Sequence, residues 1–299
     1  MRILPGPTRS NTHLAWSPCG RWLATGGTGD GAMLWDTFAG TEGQRVLTGG
    51  HGTVGLGFVS GSERLVLMSR GGLWALDVPT GQEKKLVLRG RRGNNAISSG
   101  AFAPDARSCA VHQWGNPVAG VTVYDLSETT LVPRAEFEFQ LLGYNAAFVY
   151  RAREQFFCID TSWNPAWFSA ATGERVGGIL NPTARRVVSH WALSPDGARV
   201  ALIAPEALYI APLDGSPALC LPTPTGAFRR GLAWSPCGRV LACGLGTTVQ
   251  LLEADTLAEI RALDWGIGKP RALAFSPDGA RCAVSGDSGR GWVAVFDLD

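Results

Sequence analysis

The sequence predicts an all-β fold, a seven-bladed β-propeller of four-stranded antiparallel blades, and three observations carry that prediction. One motif recurs seven times at spacings of 41 to 46 residues. A small residue stands before the large one at the centre of every copy. An apolar pair at the start of the chain, Ile3-Leu4, matches a strand that the last copy lacks.

The recurrence is clearest in Leu14-Ala15-Trp16-Ser17-Pro18-Cys19-Gly20-Arg21, Leu232-Ala233-Trp234-Ser235-Pro236-Cys237-Gly238-Arg239 and Leu273-Ala274-Phe275-Ser276-Pro277-Asp278-Gly279-Ala280-Arg281. Weaker copies surround Phe102 and Leu193, and eroded ones surround Phe58 and Phe148. Taking the large residue as anchor gives Trp16, Phe58, Phe102, Phe148, Leu193, Trp234 and Phe275, and units of that length fill residues 1–299 as a single domain.

Ala15, Gly57, Ala101, Ala147, Ala192, Ala233 and Ala274 precede the anchors. Side chains alternate faces along a strand, so a small residue beside a large one implies that one face meets a crowded neighbour. The innermost strand of a propeller blade is in that position.

Each unit continues with a Ser-Pro-Asp-Gly type turn and a second strand such as Trp22-Leu23-Ala24-Thr25 or Val240-Leu241-Ala242-Cys243. Third strands include Ala32–Asp36, Val121–Asp125 and Val293–Asp297, and the fourth are assigned to apolar runs such as Val46-Leu47, Leu86-Val87-Leu88 and Phe137-Glu138-Phe139. The last unit stops after its third strand. Ile3-Leu4 is expected to complete it, pairing an open edge and closing the ring.

The Trp35-Asp36 ending, the Ser-Pro-Asp-Gly turns and the Gly50-His51 pair resemble WD repeats. The resemblance runs the full length and is strong in three or four units. It implies a buried network that His13, Thr25, Asp30 and Trp35 partly match. Elsewhere the Trp-Asp place reads Leu76-Asp77, Tyr124-Asp125, Phe168-Ser169, Leu252-Glu253 and Phe296-Asp297, so a related propeller group with Ser-Pro-Asp-Gly turns and no Trp-Asp ending shares the description.

Composition agrees with many short strands and turns: 39 Gly, 18 Pro and 11 Trp in 299 residues. The formal net charge of +2 makes no global case for nucleic acid or an anionic membrane. Lysine occurs only at 84, 85 and 269, so the basic residues are almost all Arg, whose planar fork suits carboxylates and phosphates. The sequence contains neither a signal-peptide core nor 18 consecutive apolar residues. Seven scattered cysteines lack Cys-x-x-Cys spacing. These features lead to the expectation of a cytoplasmic protein with no membrane partner.

Candidate chemistry is sparse. Gly286-Asp287-Ser288-Gly289 resembles the nucleophile region of trypsin-like proteases, but in the repeat frame it aligns with the turn at Gly29-Asp30-Gly31. His13, His51, His112 and His190 show no metal-ligand spacing, and no phosphate loop or other cofactor motif occurs. The expectation is therefore no cofactor and no enzyme; the alternative is a hydrolase or lyase acting at the axial channel.

A partner is expected at one rim. Arg21, Arg64, Arg107, Arg153, Arg199, Arg239 and Arg281 recur five or six residues after the anchors and read as solvated strand starts. The opposite rim carries Arg9, Arg91, Arg92, Arg185, Arg186, Arg229, Arg230, Lys269 and Arg271 in the loops entering the inner strands. Arg230 and Arg271 each stand four residues before an anchor and are expected to point together at the channel mouth. Trp114, Trp163 and Trp265 lie in loops of the same rim, and Trp and Arg are enriched in binding hot spots. Arg92, Arg186, Arg230, Arg271, Trp114, Trp163 and Trp265 are the candidate contacts for a protein or peptide partner, acidic or phosphorylated; nucleic acid is disfavoured. The competing reading packs these Trp over the blade tops and leaves the Arg in water.

Overall fold

In the computed structural model the described residues are 1–4, 11–27, 30–39, 44–59, 61, 63–86, 96–103, 107–114, 120–126, 131–138, 149–151, 155–159, 165–178, 188–264, 266, 268–286 and 292–298. Among them every regular element is a β-strand. The strands begin with β1 (Arg2–Leu4), β2 (Asn11–Trp16), β3 (Trp22–Gly27), β4 (Asp30–Asp36), β5 (Gln44–His51), β6 (Thr53–Phe58), β7 (Arg64–Ser69), β8 (Gly72–Asp77) and β9 (Gln82–Leu86). They continue with β10 (Ala96–Phe102), β11 (Ser108–Trp114), β12 (Gly120–Leu126), β13 (Leu131–Glu138), β14 (Val149–Arg151), β15 (Gln155–Ile159), β16 (Pro165–Ser169), β17 (Arg175–Gly178), β18 (His190–Leu193) and β19 (Arg199–Ile203). The rest are β20 (Ala207–Pro212), β21 (Leu219–Pro222), β22 (Arg229–Trp234), β23 (Val240–Leu245), β24 (Thr248–Glu253), β25 (Glu259–Asp264), β26 (Pro270–Phe275), β27 (Arg281–Gly286) and β28 (Val293–Asp297).

These strands form seven four-stranded sheets, six in plain sequence order and the seventh ordered β1-β28-β27-β26. In the seventh, Arg2, Ile3 and Leu4 stand opposite Val295, Ala294 and Val293, as expected for a strand supplied from the start of the chain. Leu4 is 3% exposed, so its side chain anchors β1 to the sheet.

The chain divides into two compact units: Met1–Thr25 with Trp35–Gly43 and Asn181–Asp299, and Gly26–Leu34 with Gln44–Leu180. In the first unit, neighbouring sheets share a core in which Ala233, Ala242, Val249, Leu251 and Leu263 meet Leu273, Cys282, Val284, Ala294 and Phe296. In the second, Val66, Met68 and Leu73 pack with Ile97, Cys109, Val111 and Tyr124. Second and third strands are buried almost throughout, which is why they read as apolar runs with weak alternation.

Trp16, Phe58, Phe102, Leu193, Trp234 and Phe275 each end the first strand of a sheet, whereas Phe148 lies outside the described residues. The small residue before each anchor has a direct cause. The indole Nε1 of Trp234 donates to the carbonyl of Ala192, 3.0 Å away, and that of Trp16 to the carbonyl of Ala274, 3.2 Å away. In the second unit a Cβ on Gly57 would lie 2.7 Å from the Phe102 ring. The anchor of one sheet thus covers the backbone of the preceding sheet where the small residue stands, and a larger side chain would displace it.

The fourth strands correct the expectation. β9 occupies Gln82–Leu86 rather than Leu86-Val87-Leu88, and β13 occupies Leu131–Glu138 rather than beginning at Phe137. Gln82, Glu83, Lys84 and Lys85 are all exposed. An edge strand has one wet side and tolerates charge, so its apolar content is a poor guide to its position.

Candidate functional site

The recurring arginines after the anchors fall into two positions. Backbone hydrogen bonds put Arg199 and Arg281 in register with Trp22 and Val240, since each of these amides bonds the hydroxyl of the Ser five residues earlier. Arg21 and Arg239 lie one residue earlier, level with Ala198 and Ala280. The turns are equally long, but the Arg stands four residues after the turn Ser in the Cys-Gly-Arg copies and five after it in the Asp-Gly-Ala-Arg copies, and a one-residue step reverses the direction of a strand side chain.

Arg199 accordingly reaches the next sheet. Its guanidinium lies 5.0 Å from the Trp234 ring centre, donates to the Gly238 carbonyl at 3.0 Å and pairs with Asp255 at 2.6 Å. Arg281 repeats this, 4.7 Å over Trp16 and 2.8 Å from the Gly20 carbonyl. Arg21 instead grips Asp36 within its own sheet, at 2.6 Å, and this guanidinium holds the Asp36 carboxyl below the usual carboxylate range. The reading of these positions as solvated strand starts is therefore corrected for Arg199 and Arg281. They tie sheets together because their stems leave the strand toward the neighbour.

At the other end of the first strands, Arg230 in β22 and Arg271 in β26 are half-buried and lie within the strands, not in entry loops. Each strand is irregular there: β22 slips register between Arg230 and Leu232, and β26 between Pro270 and Ala272. Gly231 has φ of 68°, and a Cβ on it would lie 3.0 Å from the Arg271 carbonyl oxygen. Only glycine fits both demands, and its presence lets β26 approach β22.

His190, at the start of β18, feels both arginines. Burial is the main cause that pushes its pKa down to about 4, and the fields of Arg230 and Arg271 add to it. Its Nδ1 stands 3.2 Å from the Ser189 hydroxyl. His190 lies three residues before its anchor, Leu193, whereas Arg230 and Arg271 lie four before theirs. No feature of its own sequence distinguishes it.

Arg229 is a correction. It is only 6% exposed and donates to Gln250 Oε1 at 2.8 Å, to the Pro222 carbonyl and to the Cys243 sulfur. Gln250 in turn donates to Glu259. Arg229 is consumed by its own sheet and by the Pro222 carbonyl of β21 in the preceding one, because adjacent residues on β22 face opposite sides.

The remaining candidates fall mostly outside the described residues: Arg92, Arg186, Trp163 and Trp265 wholly, and Trp114, which ends β11, in its side chain. So do Asp287, Ser288 and Gly289 of the protease-like string. The implied His13 network is not assembled among the described residues: His13 Nδ1 meets the Thr12 hydroxyl at 2.9 Å, while Thr25 Oγ1 and Trp35 Nε1 are buried without a described partner. The Asp30 side chain lies outside the described residues. Also among the described residues, no three His, Cys, Asp or Glu gather where they would hold a metal.

Residues 2–36 match the family described as WD domain, G-beta repeat. No curated protein matches the sequence. Among solved structures, the β-propeller domain of Myceliophteria thermophila Cps50 (Swd1) aligns over 100% of this chain and 99% of its own, with a TM-score of 0.76 and 13% identity. The fold is that of a β-propeller, here with seven four-stranded sheets. The repeat match is confined to residues 2–36, and the structural likeness shows the fold.

Proposed function

We propose that this chain is a non-catalytic interaction scaffold, its seven sheets closed into one cytoplasmic platform over residues 1–299, that binds an acidic or phosphorylated protein segment at the rim bearing Arg230 and Arg271. The observation that carries the reading is the close approach of the two strands that hold these arginines, where a Cβ on Gly231 would lie 3.0 Å from the Arg271 carbonyl oxygen; the fields of both arginines also reach His190. Forked guanidinium donors suit carboxylate or phosphate oxygens. The repeat match supports the scaffold reading, since WD propellers typically serve in protein assemblies. Arg92, Arg186, Trp114, Trp163 and Trp265 belong to the same proposed rim.

The test is a comparison of wild type with Arg230→Glu/Arg271→Glu, both confirmed folded by circular dichroism, on an array of acidic and phosphorylated peptides and in capture from host lysate. Binding kept by wild type, lost by the variant and weakened by salt supports the reading. Equal binding by both, or none by either, sinks it.

A further inference from the structure

Two guanidiniums meet on one threonine at the edge of the seventh sheet. Arg2 of β1 donates from Nη1 to the carbonyl of Thr37 at 2.7 Å, and Arg281 of β27 donates from Nη1 to the hydroxyl of Thr37 at 3.0 Å. Thr37 is neutral, and its hydroxyl donates onward to the Arg21 carbonyl at 2.8 Å. Like charges converging on a neutral group favour an anion beside them.

The two arginines open into a cavity of about 280 Å³, lined by Arg2, Leu4, Thr37, Phe38, Arg281, Val295 and Asp297. Strand alternation explains the lining: Arg2 and Leu4 share a face of β1, Val295 and Asp297 share a face of β28, and Arg2 is opposite Val295. Against the single carboxylate of Asp297 the walls carry two positive charges. Leu4 and Val295 form an apolar floor, and Phe38, 66% exposed, forms an open aromatic side wall. The volume lies at the lower end of small-molecule pockets, which start near 300 Å³, and suits a large side chain rather than a cofactor.

β1 is also the last strand of its sheet, three residues long, with Ile3 38% and Met1 60% exposed. An edge strand presents backbone groups that can pair with an incoming extended segment, while alternate side chains of that segment enter pockets. We propose that this groove binds an extended acidic peptide segment along β1, with a Glu or Asp carboxylate between Arg2 and Arg281 and a bulky apolar side chain against Leu4, Phe38 and Val295. The site is separate from the Arg230 and Arg271 rim and independent of it.

The probe is a fluorescein-labelled octapeptide alternating Glu with Leu and Phe, followed by fluorescence anisotropy against the full chain, with its Gln counterpart and N-acetylglutamate amide as competitors. Saturable binding below about 1 mM is expected. The Gln peptide, Arg2→Glu and Phe38→Ala should each weaken it at least about tenfold, the loss of one good contact, while Arg230→Glu changes it less than about twofold. Arg2 and Phe38 are exposed, so both variants should fold, and circular dichroism checks this. The proposal is overturned by absence of saturable binding, by indifference to either substitution, or by loss with Arg230→Glu. Displacement by N-acetylglutamate amide at the peptide's own concentration overturns it too, since that would define a bare carboxylate site.

Discussion

Arg281 lies with its guanidinium 4.7 Å from the centre of the Trp16 ring, while the indole of Trp16 donates back to the carbonyl of Ala274 in β26. The cation of one sheet and the anchor of the next thus hold each other in both directions. Arg199 and Trp234 repeat the arrangement.

The first prediction concerns that pair. Trp16→Leu and Arg281→Ala should each destabilise the protein, and a double-mutant cycle by urea denaturation should show a coupling of about 1 kcal/mol. A coupling near zero would mean that the stacking is incidental.

Arg199→Ala should cost about 2 kcal/mol, because it removes the Asp255 pair, the Gly238 bond and the ring contact together. Arg239→Ala, at the exposed turn position, should cost under about 0.5 kcal/mol. Thermal melting of the two variants separates these outcomes, and equal losses would contradict the two-position assignment.

Stability should fall between pH 6.5 and pH 4. Burial pushes His13, His112 and His190 from 6.5 down to about 4, so the folded state keeps them neutral. Above pH 6.5 their favourable contribution is complete. As the pH drops, the unfolded chain takes up protons that the folded one refuses, and the contribution is lost. Asp36, Asp196 and Asp278 are lowered from 3.8, so their losses begin only in stronger acid. Urea midpoints measured from pH 7.5 to pH 4 should decline; a flat profile down to pH 4 would show that the imidazoles titrate normally.

Cys237 should be the most reactive thiol among the described cysteines. The Ser235 hydroxyl, 3.3 Å from its sulfur, and Arg239 lower its pKa to about 7. Burial pushes Cys109, Cys243 and Cys282 upward, the last to about 12. Iodoacetamide at pH 7 should label Cys237 ahead of these three, with the rate rising through pH 7, and Ser235→Ala should slow it. Peptide mapping after brief labelling reads the order directly.

Much of the architecture was legible because a repeat reports the same packing demand several times. Ala192, Ala274 and Gly57 are small for a reason visible even in eroded units: an anchor ring sits on each. Ile3-Leu4 was legible as a missing strand, and it pairs with β28. Fourth strands were misplaced at Leu86 and Phe137 because a wet edge does not select apolar residues.

The site was legible in part. Arg230 and Arg271 were paired from their equal distance to the anchors, yet Arg229 was grouped with them although it is buried on the opposite face of β22. The difference between Arg199 and Arg239 was present in their spacing from the turn Ser, five residues against four, but its consequence depends on what stands across the gap. Arg2 and Thr37 gave no signal at all, being 35 residues apart and in different units of the repeat.

The residues alone determined the number of units, their anchors and the strand borrowed from the start of the chain, because those follow from periodicity and steric size along one strand. Only the tertiary structure decided which arginines are spent between sheets, which face an open groove, and that Arg281 does both, since that depends on contacts between strands far apart in sequence.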